Sequence, residues 1–197
     1  MKEKGVTLIE LIVVIAIIGI IVVAFGFSFN NWIGKYRVES QIKEMYTDLM
    51  NARARAMQRN RVHFVQINSS TSYSIYEDDS DGSNKVPDGD GTLQTGTGSS
   101  ADTLLLTFPK TVEYKFTLLD KDKEEIETPV LLTFNKNGTG IINPVEEIFI
   151  DKEKCEKDDP AIESIKNSDY DCIKLFSTKI YMGKKNENKK ESPCEIK

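Results

Sequence analysis

The residue with the most unusual chemical setting in this sequence is Glu10, a carboxylate at the start of an apolar segment. Residues 11–27 carry no charged or hydrogen-bonding side chain, and a short leader that contains Lys2 and Lys4 precedes the segment. A carboxylate inside an apolar helix costs on the order of 2 to 3 kcal/mol on membrane-insertion scales. Glu10 therefore needs either a partner of opposite charge or a route to water.

A second group of carboxylates lies before the middle of the chain. Glu77, Asp79, Asp81 and Asp88 fall at positions 1, 3, 5 and 12 of a calcium-binding loop, where oxygen ligands are required. The match is incomplete, because position 1 is Glu instead of Asp, position 9 is Lys85, and position 12 is not the bidentate Glu. The pattern favours a solvated acidic loop, with calcium binding as the alternative.

The cysteines Cys155, Cys172 and Cys194 all lie in the last quarter of the chain. Behind a membrane segment they would face an oxidising compartment, which favours one disulfide and one remaining thiol. Cys155 follows one predicted strand and Cys172 precedes another, so we predict a Cys155–Cys172 bond with Cys194 unpaired. Zinc binding is disfavoured, because the sequence has no Cys-x-x-Cys spacing and its single histidine, His63, is distant in sequence.

The sequence offers no motif for catalysis. It contains no nucleophile elbow, phosphate-binding loop or zinc-site spacing, so we predict no catalytic residues and a protein that is not an enzyme. The net charge of -5 argues against general nucleic-acid binding. The stem carries a basic face with Arg53, Arg55, Arg59 and Arg61, which we expect to be solvated or to contact other subunits. This face and a lysine-rich tail leave DNA binding open as an alternative.

The chemistry at Glu10 depends on the helix that must carry it. Residues 6–29 are long enough, at about 1.5 Å per residue, to cross a hydrocarbon core of about 30 Å. Lys2 and Lys4 favour a cytoplasmic amino terminus with the rest of the chain outside. An ordinary signal peptide is disfavoured, because its cleavage site would follow the apolar core. A plain single-pass anchor, with Glu10 reaching the interface, is the alternative.

Beyond this segment the pattern predicts an amphipathic stem helix and then a β-rich domain. Trp32 and Tyr36 are placed where an aromatic belt would meet lipid headgroups. Apolar residues then recur at helical spacing to about residue 60, at Val38, Ile42, Met45, Tyr46, Leu49, Met50, Ala52 and Ala56. Alternation predicts strands at 62–67 and 73–76, and further strands at 104–108, 112–118, 130–134, 140–142, 148–150 and 173–182.

These elements define the predicted organisation, which is α+β, with one long amino-terminal helix packed on an antiparallel sheet. The predicted segments are a leader at 1–5, a transmembrane helix at 6–30, a stem helix at 31–61, an extracytoplasmic domain at 62–183 that contains an acidic loop at 77–102, and a flexible lysine-rich tail at 184–197.

Residues 4–10 resemble the prepilin signature of type IV pilin-like proteins. That resemblance implies cleavage between Gly5 and Val6 by a prepilin peptidase, N-methylation of Val6, and a role for Glu10 in neutralising the amino terminus of a neighbouring subunit. It also implies other pilins or pseudopilins and an inner-membrane assembly platform as partners. Val6 occupies the position that is usually phenylalanine in this family.

Two further stretches, 52–62 and 132–138, resemble type II secretion pseudopilin H and the FimT-like minor pilins. The resemblance implies the pilin fold and a structural subunit of a secretion pseudopilus or a type IV pilus, anchored in the cytoplasmic membrane with its carboxy-terminal domain outside. The alternatives are a DNA-binding minor pilin that acts in DNA uptake and a membrane-anchored receptor outside any filament.

Overall fold

The architecture is one long helix packed on two antiparallel sheets, which confirms the predicted α+β class. The computed structural model describes residues 7–105, 107–141, 145–150, 165–186 and 193–197, with only the backbone described for 24–31. The elements are α1 (Leu8–Arg59), β1 (His63–Ser69), β2 (Ser72–Glu77), β3 (Thr103–Leu104), β4 (Lys110–Thr111), β5 (Phe116–Leu119), β6 (Val130–Phe134), β7 (Gly140–Ile141), β8 (Glu147–Ile150), β9 (Cys172–Leu175), β10 (Ile180–Lys185) and β11 (Cys194–Ile196).

Helix α1 is continuous from the apolar segment into the stem. Thr7 caps its amino terminus, and Asn60 ends it in a left-handed conformation with φ of 54°. The predicted stem stripe is confirmed as the buried face, since its residues lie in the main core or pack against it. The fully buried members of the stripe are Val38, Ile42, Met45, Leu49, Ala52 and Ala56.

The strands form two sheets, and α1 packs against both of them. The first sheet has the order β3-β2-β1-β6-β7, with β4 pairing the other end of β2, and the second has the order β11-β10-β9-β8-β5. α1 contacts β1 and β6 of the first sheet and β9 and β10 of the second. The registers place Val65 opposite Ile75 and Leu132, and Ile148 opposite Ile173. One core therefore joins the helix and both sheets.

Three predicted strands differ from the observed ones. The segment 173–182 forms two strands, because a turn in which the Phe176 N–H donates to the Lys179 carbonyl (2.8 Å) separates β9 from β10. The segment 104–108 pairs only at its start, since a turn joins Leu105 to Phe108 (3.0 Å). The segment 112–118 is a strand only from Phe116 onward. Alternating or apolar composition does not reveal where the chain leaves the sheet.

The predicted cysteine pairing is wrong: Cys172 is bonded to Cys194, and Cys155 lies outside the described residues. β9 and β11 flank β10 on opposite sides, with their cysteines 5.9 Å apart between Cα atoms. Gly183 of β10 lies between them, where a Cβ would overlap the Glu195 carbonyl and come within 3.0 Å of Cys194 Sγ. The absent side chain leaves space for the bond to pass over the middle strand.

The structure also differs from the predicted flexible tail. β10 continues to Lys185, and β11 returns the chain antiparallel to it. The buried Glu147 carboxylate accepts a hydrogen bond from the Cys194 N–H (3.3 Å), and Asp171 accepts one from the Lys185 N–H (2.6 Å). These contacts and the disulfide hold the end of the chain on the second sheet.

We expect the Cys172→Ala/Cys194→Ala double variant to lose about 2 to 4 kcal/mol of unfolding free energy, because the closed loop between the two cysteines restricts the unfolded chain. Urea denaturation of the detergent-solubilised protein measures this loss. Cys155→Ala serves as the control and should leave the unfolding curve unchanged. A Cys155–Cys172 cross-linked peptide in a non-reducing digest would contradict the observed pairing.

Candidate processing and assembly site

Glu10 lies one turn inside the start of α1 and forms a capping box with Thr7. Glu10 Oε2 accepts hydrogen bonds from the Thr7 N–H and the Thr7 hydroxyl, both at 2.9 Å, and the Glu10 N–H donates to Thr7 Oγ1 at 3.4 Å. The Thr-x-x-Glu spacing accounts for this arrangement, because each side chain satisfies a backbone N–H that the helix start leaves unbonded. The predicted cleavage residues, Gly5 and Val6, lie outside the described residues.

Within the described part of the chain, the Glu10 carboxylate has hydrogen-bond donors but no cation. Among the residues that the structure describes, no basic side chain lies within ion-pair distance of it. The carboxylate is therefore oriented along the start of the helix, and no cation of the described residues compensates its charge. A positive group supplied from outside the described chain would satisfy it, and a newly formed amino terminus is such a group.

The first part of α1 exposes its apolar side chains. From Leu8 to Val23 the large hydrophobic side chains are 48 % to 76 % exposed, although helix side chains of this kind are normally covered. The apolar surface continues around the helix instead of forming a single stripe. Within the part of the chain that the structure describes, no helix combines the length and the apolar character needed to cross a membrane.

The stem is fixed to the β domain by polar contacts that the sequence pattern did not predict. Gln41, only 8 % exposed, donates from Nε2 to the Tyr114 carbonyl (2.7 Å) and accepts from the Tyr114 N–H (2.8 Å). Asp48 accepts from the Tyr73 hydroxyl (2.7 Å) and pairs with Lys110 (2.6 Å). The sequence does contain a signal for the burial of Gln41, because it lies three residues after Val38 and four before Met45 on the buried face.

The four carboxylates predicted as calcium candidates do not form one site, because each of them binds a different partner. Glu77 is 2 % exposed and binds Arg59 (2.6 Å) and Arg61 (2.7 Å). Asp79 binds Lys85 (2.6 Å), Asp81 accepts from the N–H groups of residues 83 and 84, and Asp88 lies 3.5 Å from Lys136. Within the described ranges, no three His, Cys, Asp or Glu side chains converge on a metal position.

Two other carboxylates organise the acidic loop by accepting backbone N–H groups. Asp78 is fully buried and accepts from the N–H groups of Asp90 (3.1 Å) and Gly91 (2.9 Å). Asp102 accepts from Asp79 (3.1 Å), Ser80 (3.2 Å) and Gln94 (2.9 Å). Burial raises the pKa of Asp102, and burial raises the pKa of Asp78 to about 6. The loop is thus an ordered structure although its sequence is polar.

The stem arginines gather at the carboxy-terminal end of α1, where cations also complement the helix dipole. Arg53 Nε donates to the Gly138 carbonyl at 2.6 Å, and Arg59 and Arg61 share Glu77. His63 is buried next to them, with Nε2 4.0 Å from Glu77, and burial lowers its pKa so that the ring is neutral at pH 7. The expected solvated basic face is in part a network that joins the helix to β1, β2 and the turn after β6.

Residues 1–26 match the family described as the prokaryotic N-terminal methylation motif. No curated protein and no solved structure shows significant similarity to the chain. This prepilin-type motif is typical of type IV pilins and pseudopilins, which are structural proteins and usually not enzymes. It implies processing by a prepilin peptidase, assembly with pilins and an amino terminus anchored in the membrane.

The buried carboxyl of Asp78 predicts a measurable pH dependence of stability. Its folded-state pKa of about 6 exceeds the ordinary value of 3.8, so the folded protein retains a proton that the unfolded chain releases between about pH 4 and 6. The stability contributed by this group is therefore present below pH 4 and is lost as the pH rises through 6. The unfolding free energy of the native chain relative to Asp78→Asn should be higher at pH 4 than at pH 7, by on the order of 1 to 3 kcal/mol.

Chemical denaturation at a series of pH values measures this difference. Asp88→Asn is the matched control, because Asp88 belongs to the same loop but has a side chain that is 76 % exposed. A difference between the native chain and Asp78→Asn that stays constant from pH 4 to 7 would contradict the assignment.

Proposed function

We propose that this chain is a minor pseudopilin or pilin, a structural subunit of a type II secretion pseudopilus or a type IV pilus. The observation that carries the proposal is the union of a methylation motif at residues 1–26 with a helix of 52 residues. The first part of that helix exposes apolar side chains, and its second part packs on a β domain. Such a helix can hold a subunit in lipid and then among the helices of a filament.

Maturation is the first step of the proposed function. Hydrolysis of the Gly5–Val6 peptide bond releases the leader and gives Val6 a new amino group, which accepts one methyl group from a methyl donor. The methylated amine remains basic, so it keeps a positive charge. The new terminus then lies one residue before Thr7, which caps the helix.

Pairing of Glu10 with the amino terminus of a neighbouring subunit is the second step. An isolated buried amine and an isolated buried carboxylate each cost several kcal/mol, and this cost is offset only when they pair with good geometry. The capping box already orients the Glu10 carboxylate toward the helix start. An incoming subunit would therefore be favoured in the axial register that brings the two charges together.

The proposed membrane boundary lies between the two parts of α1. Residues 6–30 form the membrane segment and residues 31–61 the stem, with the β domain outside the cytoplasmic membrane. In support, Trp32 and Tyr36 stack with ring centroids 6.4 Å apart, and each is 64 % exposed, as expected of an aromatic belt. Next to these rings, Lys35 binds Asp169 (2.8 Å) and Arg37 binds Glu113 (3.0 Å), so the β domain begins at this level.

Contacts between two stretches support the proposed likeness to pseudopilin H and the FimT-like minor pilins. The stretch 52–62 contains the end of α1, and the stretch 132–138 contains the end of β6 and the turn after it. Arg53 donates to the Gly138 carbonyl, and a Cβ at Gly138, where φ is 70°, would overlap Met57. The two stretches are therefore parts of one helix–turn contact.

Intact-mass analysis of the membrane-derived protein tests maturation. We expect the mass of the chain without Met1–Gly5 plus one methyl group. Gly5→Leu should abolish this shift, because the peptidase is expected to require the small residue before the scissile bond, whereas Lys4→Arg should retain it. A native protein that still begins with Met1 would overturn the proposed function.

Glu10→Gln separates the charge of Glu10 from its capping role. Glutamine also completes a capping box, so the helix start should persist while the charge is removed. We expect normal cleavage but about a tenfold or greater loss of the chain from purified filaments, because the neighbouring amine then lacks its counter-charge. Thr7→Ser, which keeps both the cap and the carboxylate, is the control. Equal incorporation of Glu10→Gln and the native chain would refute the pairing.

A further inference from the structure

A groove of about 410 Å³ lies between the last turns of α1 and the segment 103–108. The helix side of the groove carries Asn51, Arg55 and Arg59, and the opposite side carries Leu104, Leu105 and Phe108. The floor is formed by Ala52 of the helix and Ile75 of β2, both of which are buried. One wall is therefore cationic and the other is apolar.

The charges in the groove are unequally compensated. At one end Asp48 is engaged by Tyr73 and Lys110, and at the other end Glu77 is engaged by Arg59 and Arg61. Arg55 lies between them on an exposed helix position, and within the described ranges no carboxylate lies within ion-pair distance of it. Arg59 remains 54 % exposed although it binds Glu77. The groove thus presents guanidinium groups that can still bind an anion.

The dimensions of the groove indicate an elongated ligand. Its helix wall runs from Asp48 to Arg59, which at about 1.5 Å per residue is about 16 Å. An extended peptide advances about 3.3 Å per residue, so about five residues would fill this length. A free phosphate or a single carboxylic acid would contact Arg55 but leave the apolar wall uncovered.

We propose that this groove binds an extended acidic segment of a partner protein. A carboxylate of the segment pairs with Arg55, with a second one near Arg59, and leucine-sized side chains between them pack on Leu104, Leu105 and Phe108. The inference rests on the proposed function, because the membrane helix would present this end of the stem to other extracytoplasmic proteins. Nucleic acid is disfavoured as the occupant, because a phosphate backbone would leave the apolar wall uncovered, whereas a peptide can place leucine-sized side chains on it.

The test measures binding of a labelled, acetylated peptide of alternating Glu and Leu to the full-length chain in detergent micelles by fluorescence anisotropy. The comparison peptide replaces every Glu with Gln. We expect the Glu peptide to bind at least about tenfold more tightly than the Gln peptide, since hydrogen bonds to charged groups are the stronger ones. Arg55→Gln should remove most of this difference, and Arg55→Lys should retain part of it.

Arg37→Gln is the matched control, because Arg37 is also an exposed stem arginine but is paired with Glu113 at the other end of the stem. Equal binding of the Glu and Gln peptides, or equal effects of Arg55→Gln and Arg37→Gln, would overturn the proposal. Arg55-dependent binding of double-stranded DNA without peptide binding would also overturn it. The uncleaved chain contains the complete groove, so this result is independent of the mass test of maturation.

Discussion

The free-energy cost of a carboxylate one turn inside an apolar helix is the physical constraint on which the proposed assembly of this molecule depends. Glu10 is oriented by Thr7 but lacks a cation within the described chain. Capping satisfies the hydrogen-bonding capacity of the carboxylate without neutralising its charge, and in an apolar environment the charge carries the larger cost. The described part of the chain thus leaves the charge of Glu10 without a counter-ion. The prepilin-type motif implies processing by a prepilin peptidase and assembly with pilins, and we propose that assembly supplies the missing cation.

The same helix serves two environments because its surface changes along its length. Its first part exposes large apolar side chains, whereas its second part confines them to the stripe from Val38 to Ala56 that packs on the sheets. Hydrogen bonds and an ion pair then set the position of the domain on the stem. Gln41 forms two hydrogen bonds with the Tyr114 backbone, and Asp48 binds both Tyr73 and Lys110. A force applied to the helix would be transmitted to the β domain through these contacts.

Several carboxylates that hydropathy alone would place in solvent help to order the β domain. Asp78 and Asp102 bind backbone N–H groups and thereby shape the acidic loop, and Glu77 joins the helix end to β2 through two arginines. These carboxylates are buried, so each hydrogen bond or ion pair offsets part of a desolvation cost. Loss of a partner would therefore lower the free energy of unfolding. The carboxylates are thus structural groups, and Glu77 also closes one end of the groove beside Arg55.

Local and periodic properties were determined by the sequence alone. The apolar segment, the buried stripe of the stem and the strands around β1, β2 and β6 follow from side-chain spacing, because periods of 3.6 and 2 are set by backbone geometry. Cleavage at Gly5 and methylation of Val6 stay predictions, since those residues lie outside the described part. Long-range pairing was decided only by the tertiary structure. Cys172 meets Cys194 because β11 returns beside β10 at Gly183. The calcium candidates do not converge, because Glu77, Asp79 and Asp88 each lie next to a different cation and Asp81 accepts backbone N–H groups. Spacing along the chain reveals neither outcome.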